Sequence, residues 1–204
     1  MTTLTWRERP TMLGSLLGGF ALLVCAAVAI SAKLTLPLIT ARQQEDTQRL
    51  LAQVLPNSQY DRMPSQEEVS LTLDGQTVHF FRARQQGAVS AVALFASPRG
   101  YGGPIQLLVG IQSDGTLSGV RVISHTETPG LGDKIETSKS DWILGFTGLS
   151  LGQPDEAGWH VKKDGGQFDS FTGATITPRG VVKGVHDTLT LFARHRATLL
   201  DIKE

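Results

Sequence analysis

Residues 12–32 contain no charged side chain and read MLGSLLGGFALLVCAAVAISA. A helix of this length, at about 1.5 Å per residue, crosses the roughly 30 Å hydrocarbon core of a bilayer. A cleaved signal peptide is the alternative, because Ala27-Val28-Ala29 resembles a cleavage site. The apolar core of a signal peptide covers only about 7–15 residues, however, and this run is longer. The sequence therefore predicts an uncleaved transmembrane anchor over residues 12–32.

The charges beside the anchor predict its orientation. Arg7 and Arg9 lie on its short N-terminal side, although two basic residues also follow it. Cytoplasmic flanks carry the excess of basic residues, while long domains are translocated largely regardless of charge. We expect residues 1–11 in the cytoplasm and a domain formed by residues 57–204 on the exported side.

The residues between anchor and domain, 33–56, are expected to form a juxtamembrane helix. Pro37 marks a bend after the anchor, because proline removes a backbone donor. Residues 40–55 then begin with a Thr-x-x-Gln capping box and end before Pro56.

The composition excludes several classes of function. Nineteen basic and nineteen acidic residues give no net charge, so no nucleic-acid-binding surface is indicated. Cys25 is the only cysteine, which rules out an intrachain disulfide. The five histidines include no HExxH pair and the single cysteine excludes a CxxC pair, so the sequence does not support a metal site. The P-loop motif for nucleotide phosphates is also missing.

The middle of the chain has the alternating pattern of β-strands. The alternation of residues 69–73 resumes at Val78 after Asp74-Gly75, a dipeptide typical of a two-residue type I′ hairpin. Residues 105–111 and 117–123 repeat this pattern around Asp114-Gly115.

Two further segments complete the predicted domain. Residues 88–96 indicate a more buried strand, and the apolar residues between Ile135 and Phe146 have the rough spacing of a short helix. The sequence thus predicts an α+β fold, in which a single N-terminal transmembrane helix precedes a largely antiparallel sheet with flanking helices.

The C-terminal part contains the string DSFTGATITPRGVV, residues 169–182. Thr177 followed by Pro178 is typical of an N-cap and a first helical residue, and the apolar spacing predicts a helix over residues 178–198. The first amides of a helix have no intrahelical partner, so this start favours an anion such as phosphate. A capped helix after a glycine turn explains the same residues, and this string alone leaves both interpretations open.

The same string resembles the flavinylation motif Asp-x-x-Ser/Thr-Gly-Ala-Thr. In proteins with that motif, a flavin transferase takes FMN from FAD and links its phosphate to the last threonine. The resemblance implies that Thr175 is the covalent acceptor of FMN and that Asp169 is the acidic residue of the motif. Thr172, Gly173 and Ala174 would shape the turn.

A second string, SHTETPGLGDKIE at residues 124–136, is similar to a signature of FMN-binding domains. It makes His125 and Glu127 candidate flavin contacts, while a polar loop closed by Pro129-Gly130 is the alternative. Trp142 and Trp159 could stack on the flavin ring, but tryptophans more often pack in a core or cover a surface, and we favour that interpretation for both.

Together these features resemble the G subunit of the Rnf/Rsx ion-translocating electron-transport complexes. The resemblance implies a bacterial inner-membrane protein with a periplasmic FMN-binding domain. This subunit would relay electrons within a complex that couples electron flow between ferredoxin and NAD to ion movement, and it would turn over no free substrate of its own. Its partners would be the other subunits, the membrane and, during maturation, a flavin transferase. Three alternatives stay open: a flavin-free protein for assembly or regulation, a relative of the C subunit of the Na⁺-translocating NADH:quinone reductase, and a stand-alone exported reductase.

Overall fold

The computed structural model describes residues 10–55, 60–61, 64 and 67–201 of the chain. Residues 1–9, which form most of the predicted cytoplasmic N-terminus, lie outside the described residues. The chain divides into two compact units, Met1–Glu45 and Asp46–Glu204, of which the second contains the candidate site.

Helix α1, Pro10–Val54, is continuous. The new helix start expected at Thr40 is therefore not observed, because the residues before it are helical as well. The bend at Pro37 stays a prediction. Residues 41–54 are rich in glutamine, glutamate, arginine, leucine and alanine, which are strong helix formers. Their propensity continues the helix past the single backbone donor that a proline removes.

Within α1, Gly14–Lys33 is long and apolar enough to cross a membrane, with a mean hydropathy of 2.2. Its apolar side chains are exposed, as shown by Leu16 at 70%, Leu17 at 71% and Phe20 at 67%. Apolar exposure over the whole of such a segment is typical of a helix whose surroundings are hydrocarbon or another protein.

Five antiparallel strands form one sheet in the order of the sequence, which confirms the predicted antiparallel architecture. The strand predicted at residues 88–96 has those bounds in the structure. The strands are β1 (Glu68–Leu73), β2 (Gln76–Gln85), β3 (Ala88–Ala96), β4 (Gln106–Gln112) and β5 (Leu117–Ser124).

The two Asp-Gly dipeptides form different turns. Asp74 and Gly75 have φ values of 51° and 80°, which confirms the two-residue type I′ hairpin. Between β4 and β5, only Gly115 has a left-handed φ, 95°, and the loop is longer, spanning residues 113–116. The Asp114 carboxyl group there accepts the Thr116 N–H at 2.8 Å, so the aspartate stabilises the loop through its side chain.

One face of the sheet packs on the C-terminal end of α1. Leu51, Val54 and Leu55 belong to a buried cluster with residues of β2, β3 and β4. A Cβ atom on Gly110 would collide with the Val54 carbonyl oxygen, so glycine permits this close approach. The Ser118 hydroxyl donates to the same carbonyl oxygen at 2.5 Å.

The opposite face carries the main core and helix α2, Ile176–Arg194, followed by the short α3, Arg196–Leu199. The predicted helix over 178–198 is thus confirmed in position, but it begins two residues earlier and is interrupted at His195. The buried apolar residues of α2 are Val181, Val182, Val185, Leu189 and Phe192.

Short 3₁₀ helices connect β5 to α2 across this core. The sequence predicted a single short helix between Ile135 and Phe146. The structure instead has two 3₁₀ helices, one that ends at Ile135 and one that ends at Phe146. The intervening residues, 136–141, form turns closed by backbone hydrogen bonds from Lys139 and Ser140 to the Glu136 carbonyl. The four 3₁₀ helices are Asp133–Ile135, Trp142–Phe146, Glu156–Gly158 and Lys162–Asp164.

Candidate functional site

A tight turn precedes α2. The Ala174 N–H donates to the Phe171 carbonyl at 3.0 Å, and Gly173 has a φ of 82°. This left-handed conformation favours glycine, because a side chain there is strained. Thr172 is exposed at the tip of the turn. The turn places Thr175 at the N-cap of α2.

The two threonines at the start of α2 have different surroundings. The Thr175 side chain is half-buried and makes no capping hydrogen bond. Thr177 is fully buried, and its hydroxyl donates to Glu127 Oε2. The prediction that Thr177 caps the helix is therefore wrong, because a carboxyl group distant in sequence accepts its hydroxyl instead. Pro178 lies inside the first turn, where its missing N–H has no intrahelical partner to lose.

Glu127 connects three segments of the chain. Besides the Thr177 hydroxyl, its carboxyl group accepts the Gly102 N–H at 2.9 Å and the Tyr101 N–H at 3.3 Å. The residue is only 5% exposed, and three donors compensate for its burial.

Two glycines make room for this carboxyl group. A Cβ atom on Gly100 would collide with Glu127 Oε1, and one on Gly132 would lie 2.9 Å from Oε2. The close packing of the 100–103 loop, Glu127 and the start of α2 therefore depends on glycine at both positions.

A cavity of about 500 Å³ opens at the start of α2. This volume lies within the usual range of small-molecule sites. Of the predicted site residues, Glu127, Gly173, Ala174 and Thr175 line it, whereas Asp169, Thr172 and His125 do not. The other lining residues are Tyr101, Thr128, Leu131, Gly132, Lys163, Ile176, Thr177 and Arg179.

Two cationic side chains, Lys163 and Arg179, line this cavity. Arg179 forms a bidentate ion pair with Asp164, with Nε–Oδ2 and Nη2–Oδ1 distances of 2.5 Å. This guanidinium holds the pKa of the Asp164 carboxyl below its usual range, and the carboxylate raises the pKa of Arg179. Arg179 therefore stays charged and oriented at the edge of the cavity.

Asp169 lies just outside the cavity. Its side chain is 69% exposed and pairs with Lys162, with an Nζ–Oδ1 distance of 2.7 Å. Its main-chain carbonyl accepts the Trp142 Nε1–H at 2.9 Å, so the tryptophan fixes the backbone at the beginning of the motif.

Neither tryptophan lines the cavity. Trp142 makes edge contacts with Phe146 and Phe171, at centroid distances of 5.4 and 5.2 Å. Trp159 is 4% exposed and packs against Phe168 at 5.5 Å. Both therefore contribute to an aromatic cluster beside the site, which is the core-packing interpretation of these residues.

His125 lines a second cavity of about 440 Å³, together with Arg121, Glu136 and Ser138 among others. Its Nε2 lies 2.7 Å from Glu136 Oε1, and its Nδ1 accepts the Glu127 N–H at 3.0 Å. The pKa of Glu136 is lowered mainly by the hydrogen bond from Ser138, and in second place by the hydrogen bond from His125. His125 does not line the Thr175 cavity itself. It is connected to the lining residue Glu127 by the hydrogen bond from the Glu127 N–H.

Eight of the lining residues were not among the site residues predicted from the sequence, and Tyr101, Lys163 and Arg179 are three of them. Arg179 had a usable signal, because residues four apart share one face of a helix. The glycines around Tyr101 are a weaker signal, because glycine permits a close backbone approach but does not identify the partner. For Lys163 the sequence offers no comparable signal.

Known proteins match this chain over nearly all of its length. Residues 100–190 match the family of FMN-binding domains. The G subunit of the ion-translocating oxidoreductase complex of Cereibacter sphaeroides is 50% identical over 196 residues, which cover 96% of this chain and 90% of that protein. This chain belongs to the family of these G subunits. The G subunit of Pseudomonas aeruginosa is 49% identical, with 93% of this chain and 91% of that protein covered.

A solved structure shows the same fold outside the G-subunit family. The C subunit of the Na⁺-translocating NADH-quinone reductase from Parabacteroides distasonis has a TM-score of 0.54. The match covers 76% of this chain and 92% of that structure at 18% sequence identity, so it shows a shared fold alone. The evidence for family membership is the sequence identity to the G subunits. The segment that matches the FMN-binding family, residues 100–190, contains every predicted site residue.

Proposed function

We propose that this G subunit is a membrane-anchored flavoprotein that holds FMN through a phosphoester on Thr175 and relays electrons within an ion-translocating oxidoreductase complex. The observation behind the choice of residue is the contrast between Thr175 and Thr177. The Thr175 side chain lines the cavity without a capping bond, whereas Thr177 is buried against Glu127.

The residues around Thr175 fit a flavin phosphate. The start of α2 presents backbone amides and a partial positive charge, which favour an anion. Lys163 and Arg179 add positive side chains on the cavity wall. At Gly173, a Cβ atom would meet only Leu131, at 3.4 Å, so a ligand can approach the backbone of the turn.

The apolar side of the cavity suits a flat ring. Leu131 and Ile176 are 42% and 47% exposed, and Tyr101 is 72% exposed. Exposed apolar and aromatic groups at a cavity edge are typical of a small-molecule site. When bound, FMN supplies the electron-transfer chemistry, and the chain holds and orients it.

Attachment is assigned to a partner enzyme. The Glu127 carboxyl group in the cavity already accepts three hydrogen bonds, and none of the described lining residues is a histidine that could activate the Thr175 hydroxyl. We assign this step to a flavin transferase. The Thr175 oxygen forms a bond to the FMN phosphorus of FAD, the diphosphate linkage breaks, and AMP and the hydroxyl proton leave.

Thr175→Ala tests the proposed linkage. The full chain, produced together with a flavin transferase, should give a fluorescent band on a denaturing gel under ultraviolet light. Thr175→Ala should abolish the band, because it removes the acceptor oxygen while keeping a small side chain. Ser170→Ala is the matched control, since it removes a hydroxyl from the same string at a position that the motif leaves unspecified, and it should retain the adduct.

Peptide mass spectrometry then identifies the modified residue. We expect FMN on the peptide containing Thr175. A wild-type chain without an adduct in the presence of active transferase would disprove the flavoprotein assignment and favour a flavin-free role in assembly. An adduct on Thr177 would retain the function but contradict the choice of residue.

The proposed topology places residues 1–11 in the cytoplasm and the FMN-binding domain in the periplasm, with the anchor in the inner membrane. Its support is the apolar Gly14–Lys33 segment and the basic residues Arg7 and Arg9. Protease added to intact spheroplasts should digest the domain while a cytoplasmic marker protein survives. Protection of the domain until lysis would reverse the orientation.

A further inference from the structure

Among the described residues that line the Thr175 cavity, Arg179 is both permanently charged and held in place by an ion pair. We propose that its guanidinium group, oriented by Asp164, binds the phosphate oxygens of the FMN on Thr175. This inference rests on the function proposed above and assigns to Arg179 the positioning of the linked phosphate.

The position of Arg179 on α2 supports this role. The Arg179 N–H donates to the Thr175 carbonyl at 3.4 Å, so the two residues are one helical turn apart. Side chains four residues apart lie on the same face of a helix. Both residues also line the same cavity, so the Arg179 side chain and the Thr175 hydroxyl border the same space.

The Asp164 ion pair leaves donors available. Asp164 uses Nε and Nη2 of Arg179, whereas a guanidinium has five N–H donors. The three remaining donors are fixed in a plane, and a planar fork matches the oxygens of a phosphate. Asp164 thus fixes the orientation of the guanidinium and leaves three of its N–H donors available. Because the side chain is already oriented, less conformational entropy is lost when the phosphate binds.

Lys163 is the competing cation in this cavity. Its ammonium group is a point charge on a flexible stem, and the Asp164 ion pair forms with Arg179. The two side chains therefore differ in preorganisation, and the oriented phosphate contact is assigned to Arg179.

The test compares three variants of the full chain produced with a flavin transferase: Arg179→Gln, Arg179→Lys and Lys183→Gln. Lys183→Gln is the matched control, because it removes the same charge from α2 one turn farther from Thr175, where Lys183 pairs with Asp187. Circular dichroism establishes that each variant is folded. The measurements are the rate of covalent loading at limiting FAD and the ³¹P resonance of the purified adduct.

We expect Arg179→Gln to load about tenfold more slowly, as for the loss of one charge-assisted hydrogen bond. Its ³¹P resonance should also shift, whereas Lys183→Gln should match the wild type in both measurements. Arg179→Lys should recover part of the rate, because it keeps the charge and loses the fork.

A wild-type ³¹P resonance in Arg179→Gln would overturn the inference whatever the loading rate, because a slow rate alone reports recognition by the transferase. If Arg179→Gln acquires no flavin, Arg179→Lys decides: loading supports the phosphate contact, and failure to load overturns it. An unmodified wild-type chain would instead refute the proposed function, so the two failures are distinguishable.

Discussion

Two neighbouring cavities of the domain each contain a glutamate that accepts a hydroxyl hydrogen bond, but the two glutamates differ in burial. Glu127 faces the Thr175 cavity, is 5% exposed and accepts the Thr177 hydroxyl. Glu136 lines the second cavity, has a side chain that is 40% exposed and accepts the Ser138 hydroxyl at 2.9 Å. Burial makes the hydrogen bonds of the first glutamate costly to lose, whereas water can replace those of the second.

His125 joins the two cavities. Its Nδ1 accepts the Glu127 N–H, and its Nε2 lies next to Glu136. An imidazole nitrogen that accepts an N–H carries no proton itself, so the other nitrogen donates to the carboxylate. The comparison indicates that Glu127 organises the segments around the Thr175 cavity, while His125 connects the backbone of Glu127 to Glu136 in the second cavity.

The largest effect is expected at Glu127. Glu127→Ala leaves the buried Thr177 hydroxyl and the amides of Tyr101 and Gly102 without their acceptor. A buried donor left unpaired costs about 1–3 kcal/mol, whereas the two amides belong to exposed residues and water can reach them. We expect the free energy of unfolding to fall by about 2–4 kcal/mol in urea titrations of the detergent-solubilised chain. Glu136→Ala is the control, and an equal loss in the two variants would contradict the comparison.

Thr177→Val should have the next largest effect on stability. The substitution keeps the shape of the side chain but removes one donor to Glu127, which should cost about 1–2 kcal/mol of unfolding free energy. Thr175→Val should leave the unfolding free energy nearly unchanged while abolishing the covalent flavin. Finding both effects in one variant would show that the two threonines do not have separate roles.

His125→Gln tests whether the histidine acts on flavin or on the protein. Because His125 lines the second cavity, we expect full covalent loading and a loss of about 1 kcal/mol in unfolding free energy from its hydrogen bonds. Gel fluorescence and urea titration measure the two quantities. A fall in flavin content at unchanged stability would instead support the direct flavin contact predicted from the sequence.

The smallest effect concerns pH and Glu136. Because its pKa is lowered in the folded chain, its stabilising contribution is complete above the ordinary glutamate value of about 4.3 and is lost as the pH falls through the lowered pKa. Glu136→Gln should therefore lower the unfolding free energy at pH 6 by a few tenths of a kcal/mol, since the group is exposed. The difference from wild type should shrink as the pH falls below the ordinary glutamate value and disappear once Glu136 is protonated in the folded chain. A difference that stays constant with pH would contradict the assignment.

Local patterns in the sequence predicted the elements whose causes are local. The apolar run of α1, the Asp74-Gly75 hairpin and the strand at residues 88–96 follow from periodicity and turn chemistry. The 3₁₀ helices between β5 and α2 were less predictable, because such short turns depend on the core they cover. The continuity of α1 was missed because proline was given more weight than the propensity of the residues after it.

The sequence by itself determined that Thr175 follows a glycine turn at the start of a helix, because the motif and the helical spacing are contiguous in the chain. Only the tertiary structure decided that Thr177 is buried on Glu127, fifty residues away in sequence, and that Arg179 is paired with Asp164 from another segment. Hydrogen bonds and ion pairs between distant segments form only when packing brings their side chains together. Such contacts therefore cannot be predicted from a local sequence pattern. The hydroxyl left on the cavity surface is therefore a property of the fold, although the threonine that supplies it can be found in the sequence.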